Sequence, residues 1–296
     1  MNQRRGYATA LMISMAIFGT LGLFVKNIAV SSGELALYRA IMATLMIGAY
    51  ILITKQRLPI KEIKKALPLL LLSGGAMGMN WILLFEAYKY TTVSSATLSY
   101  YFAPVIVTVA CPILFKEKMG AKQWICFAAS TLGIVLITGV GDTAGTHIIG
   151  ILFGLGAAML YATVILLNKS IRGVEGVHRT FLQFIAAVIV LIPYVCFTGG
   201  FHLEVLDGLG WASLITVGVI HTGVTYILYF SSLKELPGQQ VAVLSYIDPL
   251  VAVIVSVTFL REPMSWIQIL GGLLILGFTL YNELPTSKFS SPSEDK

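Results

Sequence analysis

The chain has 296 residues, of which 57% are hydrophobic and only 11% charged, with a formal net charge of +6. A soluble domain carries about 25% charged residues, so this chain cannot cover a water-facing surface and lipid must solvate most of it. The positive balance does not point to nucleic acid, because the basic residues are scattered over short connectors and form no basic domain. In chain order, residues 1–26 set a basic flank before an apolar run. The run is long enough to span a bilayer and no small-residue cleavage site follows, so a retained first helix is expected.

Ten apolar runs can be marked, roughly at 7–26, 34–54, 67–88, 93–115, 121–140, 149–169, 178–198, 210–233, 239–260 and 265–284. Each holds about 20 residues, and about 30 Å of helix crosses the hydrocarbon. The runs are continuously apolar, without the alternation of a membrane barrel, which predicts an all-α membrane protein. The basic linker 55–66 predicts a short surface helix, and the Gly/Thr-rich stretch 139–147 a hinge. The Ser/Pro-rich, charged tail 285–296 predicts disorder on the cytoplasmic side. Gly75 and Gly78 on the third run, and Gly150 and Gly154 on the sixth, permit close helix approach. Cys111, Cys126 and Cys196 lie inside apolar runs, have no metal-ligand spacing and read as small packing residues. Trp124, Trp211 and Trp266 sit at run ends and read as interface anchors.

One stretch occurs twice. Residues 85–118 align without a gap on residues 230–263 at an offset of 145, with five identities: Phe85/Phe230, Lys89/Lys234, Tyr101/Tyr246, Pro104/Pro249 and Glu117/Glu262. Such an internal repeat in a membrane chain points to a transporter with its site between the halves. Placing the N-terminus inside puts 16 of the 20 Lys and Arg residues on the cytoplasmic side and leaves Lys26, Arg39, Lys89 and Arg261 on the other. Both termini are then cytoplasmic. Five runs per half is an odd number, so the second half is inverted. The expected architecture is ten transmembrane helices as two inverted five-helix repeats, 1–140 and 141–284.

These residues carry a family resemblance. The turn Ala87-Tyr88-Lys89-Tyr90-Thr91 with Pro104 and Glu117 at the helix end, and in the second half Lys234, Asp248-Pro249 and Glu262 at the helix end, resemble the EamA-type ten-helix transporters of the drug/metabolite transporter superfamily over about residues 7–284. Arg39 resembles an arginine common in that family. The resemblance implies alternating access around a central cavity, with no cofactor and no ATP hydrolysis. The sequence agrees on the last point, having no GxxxxGK[ST] loop. Glu86 and the cluster Thr97, Ser99, Tyr100 and Tyr101 depart from the family's usual pattern and bear on substrate choice.

An ionisable group inside a span is expensive, at about 2.5–3.5 kcal/mol on insertion scales, and is a functional candidate by default. Asp248 lies nine residues beyond Gln239, where the ninth run enters, and precedes Pro249, whose ring loosens the helix. It is a candidate for proton coupling, or else a protonated or paired packing acid. His221, Thr225 and Tyr229 share a face at i+4 and i+8, either as a polar strip on a cavity wall or as contacts to a neighbouring helix. Glu86 and Arg39 lie at similar depths. They either pair with each other, or Arg39 holds a substrate carboxylate and Glu86 a cation. Asn80 serves a helix contact or the cavity. The aromatics Phe18, Trp81, Tyr100, Tyr101, Tyr161, Tyr226 and Tyr246 fall within runs. Phe18 corresponds to Tyr161 at an offset of 143 and Trp81 to Tyr226 at 145, so the pairs could box a ligand at the repeat interface.

The expected function is a secondary transporter of the cytoplasmic membrane for a small polar metabolite, an amino acid or amine, with lipid as its surroundings and protons as a candidate coupling ion. The alternative is an organic-cation carrier using Glu86 and the rings. An intramembrane enzyme would need paired acids or a Ser/His dyad in a motif, and a receptor a sizeable soluble module; neither is present in the sequence.

Overall fold

The computed structural model describes residues 2–115, 119–138, 145–233 and 235–284, and these are helical, with no strand among them. The helices are α1 (Asn2–Gly19), α2 (Leu21–Val25), α3 (Ser32–Ile53), α4 (Ile60–Tyr90), α5 (Val93–Tyr100), α6 (Ala103–Phe115) and α7 (Ala121–Thr138). They continue with α8 (Thr146–Ser170), α9 (Gly176–Thr198), α10 (Gly208–Ile215), α11 (Thr225–Leu233), α12 (Gly238–Ser245), α13 (Ile247–Thr258) and α14 (Trp266–Glu283). A π-helical stretch, Thr216–Val224, joins α10 to α11 in one rod.

Among the described residues, eight helices are long and apolar enough to cross a membrane. The ninth apolar run is divided at Tyr246 into α12 and α13, and the tenth, α14, closes on the polar triplet Tyr281-Asn282-Glu283. The outer faces are apolar: Phe197 is 89% and Trp266 85% exposed, as lipid-facing side chains should be. Polar side chains turn inward instead, among them Ser73, Asn80, Gln183, Ser94 and Ser256, each almost fully buried. Gln183 of α9 donates to Asn168 Oδ1 of α8 at 2.7 Å and to Ser73 of α4, tying three helices. In lipid such bonds have no water to replace them.

Two expectations are corrected. The linker 55–66 does not form a separate surface helix: residues from Ile60 onward are the first turns of α4, which runs unbroken for 31 residues through Pro68 to Tyr90. Apolar contacts explain the continuity, since Ala66 and Leu70 pack on Ile171 and Val174 and hold that end of α4 to the bundle. Glu262 does not close a helix; α13 ends at Thr258 and Glu262 lies in the connector beyond it. The expectations for Glu117, Lys234, residues 139–144 of the hinge and the tail 285–296 fall outside the described residues.

The fourth and ninth runs break at matching places. Pro104 and Pro249 lack the amide that would reach the carbonyls of Tyr100 and Ser245, so each helix yields just before its proline. Phe102 N–H bonds the Ser99 carbonyl at 3.2 Å and Tyr246 N–H the Val243 carbonyl at 3.3 Å, tight turns in place of a full helical turn. The first run breaks at Thr20, between α1 and α2, where the Thr20 hydroxyl donates back to the Ile17 carbonyl at 2.8 Å. Packing partners exchange between halves. α4 lies on α8, and the rod ending in α11 lies on α1; α5 meets α13, and α7 meets α14.

The last pair meets backbone to backbone. A Cβ added at Gly133 would lie 2.6 Å from the Gly271 carbonyl oxygen, and one added at Gly271 would lie 2.6 Å from that of Gly133. The Gly150 and Gly154 face instead lies on Thr91, Ala96 and Ser99. Gly271→Val should therefore wedge α7 from α14 at a cost of about 1–3 kcal/mol, read as a lower melting temperature in detergent. Unchanged melting would mean that the two backbones do not touch.

Candidate functional site

A cavity of 420 Å³ lies where helices of both halves meet. Its first-half wall comes from Phe18 and Gly19 of α1, Leu21 and Gly22 of α2, Arg39 of α3, Trp81, Leu84 and Tyr88 of α4, and Thr97 and Tyr100 of α5, with Tyr101 and Pro104 at the break. The second-half wall comes from Tyr161 and Ile165 of α8, Tyr226 and Tyr229 of α11, Ser245 of α12, Tyr246, Asp248 of α13 and Glu283 of α14. At one end the cavity stops at Tyr88 and Thr97. At the other it reaches Glu283, which is exposed, so the cavity opens there. We call these the Lys26 end and the Lys122 end, after the lysines of the adjoining helix termini.

The helix breaks set the chemistry. Tyr101 and Tyr246, related by the repeat, occupy the two breaks with ring centroids 6.5 Å apart. The Tyr101 hydroxyl donates to Asp248 Oδ2 at 2.6 Å, a hydrogen bond between the halves. Further rings continue the wall: Tyr100 with Tyr161 at 5.3 Å, Phe18 with Tyr226 at 5.2 Å, and Phe184 bridging Trp81 and Tyr226 at 5.3 Å from each. Both pairs expected from the repeat register, Phe18/Tyr161 and Trp81/Tyr226, line the cavity.

Arg39 is the cavity's cation. It is only 3% exposed, and no acid pairs with it among the described residues. Its Nε donates to Thr222 Oγ1 at 3.1 Å, and its guanidinium lies 4.4 Å from the Trp81 ring centroid and 5.4 Å from that of Phe85. Aromatic faces attract a cation but do not neutralise it. Thr222 is held in turn by donating to the Val217 carbonyl at 2.8 Å. Val217 and Thr222 lie in the π-helical stretch, where His221 and Thr225 likewise bond carbonyls five residues back.

Nine of the thirteen residues singled out in the sequence line this cavity: Phe18, Arg39, Trp81, Tyr100, Tyr101, Tyr161, Tyr226, Tyr246 and Asp248. Four do not. Asn80 donates to the Ala157 carbonyl at 2.5 Å and joins α4 to α8. The Glu86–Arg39 pair does not form; Glu86 pairs with Lys89 at 2.9 Å, three residues on, because Arg39 turns inward onto Trp81. His221 lies 2.9 Å from Thr20 Oγ1, and Thr225 is buried on its own rod. Neither lines the cavity, whereas Tyr226 and Tyr229 of α11 do. Tyr88, Glu283 and the supporting Thr222 were not anticipated from the sequence, whereas Tyr229, expected on a polar strip with His221 and Thr225, is the one member of that strip on the wall. Tyr88 could have been found seven residues beyond Trp81 on one helical face. Tyr229 corresponds to the lining Leu84 at the repeat offset.

Comparison with known proteins agrees with this arrangement. An uncharacterized transporter of Bacillus subtilis (strain 168), YxxF, is 32% identical over 90% of this chain and 85% of its own length. An uncharacterized transporter of Archaeoglobus fulgidus is 25% identical over 92% of this chain and 94% of its own. A solved crystal structure with 16% identity superposes with a TM-score of 0.63 over 93% of this chain and 96% of that one, a likeness of fold. The EamA-like transporter family profile matches twice, at residues 5–139 and 148–282, so each half of the chain carries one copy of the family's unit. A multi-pass membrane chain with two such units walling one cavity belongs to the EamA-like transporter family.

Proposed function

We propose that the protein is a secondary transporter of the cytoplasmic membrane that moves a small polar metabolite, an amino acid or amine, by alternating access. The reading takes residues 1–140 and 141–284 as two inverted repeats of five spans, with both termini in the cytoplasm. The Lys26 end then faces outward and the Lys122 end, where the cavity opens, faces the cytoplasm. The distribution of Lys and Arg supports this orientation. The duplicated family match and the matched helix breaks support the repeat.

One observation carries the substrate reading: Arg39 is a buried cation on the cavity wall without a carboxylate partner among the described residues. A buried charge left unmatched is costly, and a solute that brings its own anion relieves that cost. An amino acid fits, with its carboxylate on Arg39 and its ammonium facing the rings and Asp248. Each ring would add about 0.5–2 kcal/mol of cation–π attraction. The organic-cation alternative rested on Glu86 and the rings; the rings line the cavity, but Glu86 lies on Lys89 and not on its wall. Asp248, bonded to Tyr101 between the halves, is the candidate proton carrier, because its charge state would alter the contact that joins them.

A thermal-stability screen of the purified protein tests the substrate reading. Free amino acids should raise the melting temperature by mass action, and the matching amides and simple amines should raise it less. Arg39→Gln should erase that difference. A shift by amines alone, unaffected by Arg39→Gln, would remove Arg39 from recognition. For coupling, Asp248→Asn in proteoliposomes should abolish uphill transport while leaving exchange largely intact. Retained uphill transport would exclude Asp248 from the coupling step.

A further inference from the structure

Beyond Tyr88 lies a second chamber of 350 Å³, at the Lys26 end. Val25, Lys26, Ser32, Phe85 and Lys89 help to line it, and Tyr88 is the one residue that lines both chambers. The Tyr88 ring is therefore the partition between them. It is buried, and its hydroxyl lies 3.4 Å from Thr97 Oγ1 of α5.

Beside Tyr88, α2 closes against the start of α5. A Cβ added at Gly22 would lie 2.4 Å from Val93 Cγ1, so only a glycine allows this contact. α2 is five residues long and is separated from α1 by the break at Thr20. Its far end is fastened by one carboxylate. Glu262 Oε1 pairs with Lys26 Nζ at 2.5 Å, and Glu262 Oε2 accepts from Val93 N–H at 2.7 Å and from Ser256 Oγ at 2.5 Å. Ser256 Oγ lies 2.5 Å from Ser94 Oγ. A single side chain thus binds the end of α2, the first turn of α5 and the end of α13.

We propose that Glu262 is the latch of a gate between the two chambers, with α2 as its moving leaf, Thr20 as its hinge and Tyr88 as its partition. The proposal rests on the transport reading above and adds to it the residues that close the path. Glu262 ties α2 and α5 of the first half to α13 of the second, so movement of one half against the other must break its bonds. The Lys26 side chain is partly exposed, so water can replace its partner when α2 swings away. Opening exposes Val93 N–H and the Gly22 face together, which joins the chambers into one path. At the repeat offsets Lys26 corresponds to Lys169 and Glu262 to Glu117, the latter outside the described residues.

The test needs no known solute. Cys111, Cys126 and Cys196 are replaced, and a reporter Ser245→Cys is placed on the cavity wall. Its labelling by a membrane-impermeant maleimide is timed in vesicles of each orientation. With the gate intact, labelling should be fast from the Lys122 face and slow from the Lys26 face. Glu262→Gln should speed labelling from the Lys26 face severalfold and leave the other face unchanged. A second variant, Gly22→Cys with Val93→Cys, guards against loss of folding in the first. The built Gly22 Cβ lies 3.2 Å from the Val93 Cβ, close to the roughly 3.5–4.5 Å that a disulfide spans. Oxidation should abolish labelling from the Lys26 face and reductant should restore it. Equal labelling from the Lys26 face with the disulfide closed, or no change with Glu262→Gln in folded protein, overturns the proposal. Gated labelling without solute flux into liposomes would instead defeat the transport reading and leave the gate standing.

Discussion

A guanidinium buried in a bundle that lipid surrounds constrains everything around it. Arg39 can stay charged there only because a cavity reaches it and because Trp81, Phe85 and Thr222 hold it in place. Each support depends on another element. Trp81 is fixed edge-on by Phe184 of α9, and Thr222 by the π-helical turn. The cavity itself needs the breaks at Tyr101 and Tyr246, since two unbroken helices would fill the space where those rings and Asp248 meet. A cation in lipid thus demands polar support, and the support demands irregular backbone. Irregular backbone at membrane depth is tolerated only where it lines a cavity or is buried in protein.

The irregularities share a chemical origin. Prolines remove amides at two matched sites, and side-chain hydroxyls and an imidazole bond the carbonyls of the widened turn between Thr216 and Val224. Glycines then let the regular parts approach at backbone distance, as α7 and α14 do. The bundle is rigid in its interior and interrupted where the halves face each other.

Charges at the Lys26 end show why depth alone is a poor guide to pairing. Glu86 and Arg39 come from similar depths, yet Glu86 turns to Lys89, one helical turn away, and Arg39 turns to the interior. A local partner on the same helix costs no rearrangement of the fold. Glu262 behaves differently. It reaches two helices of the first half because its connector lies over the junction between them. Its importance rests on that location and not on its position at the end of an apolar run.

Composition and run length alone determined that this is a multi-pass helical membrane protein, because a chain so poor in charge has no other solvent. The repeat register pointed to aromatic residues of the cavity wall, Phe18 with Tyr161 and Trp81 with Tyr226 at nearly constant offsets, but the rings that meet are Phe18 with Tyr226 and Tyr100 with Tyr161. Tertiary structure decided the rest. The direction of a side chain depends on local helix geometry and packing, and of the face expected for His221, Thr225 and Tyr229 only Tyr229 reaches the cavity. Partner choice between charges depends on rotamer and packing, which spacing does not encode. Burial of Arg39 without an acid, and the three-way grip of Glu262, arise only when residues distant in the chain are brought within bonding distance.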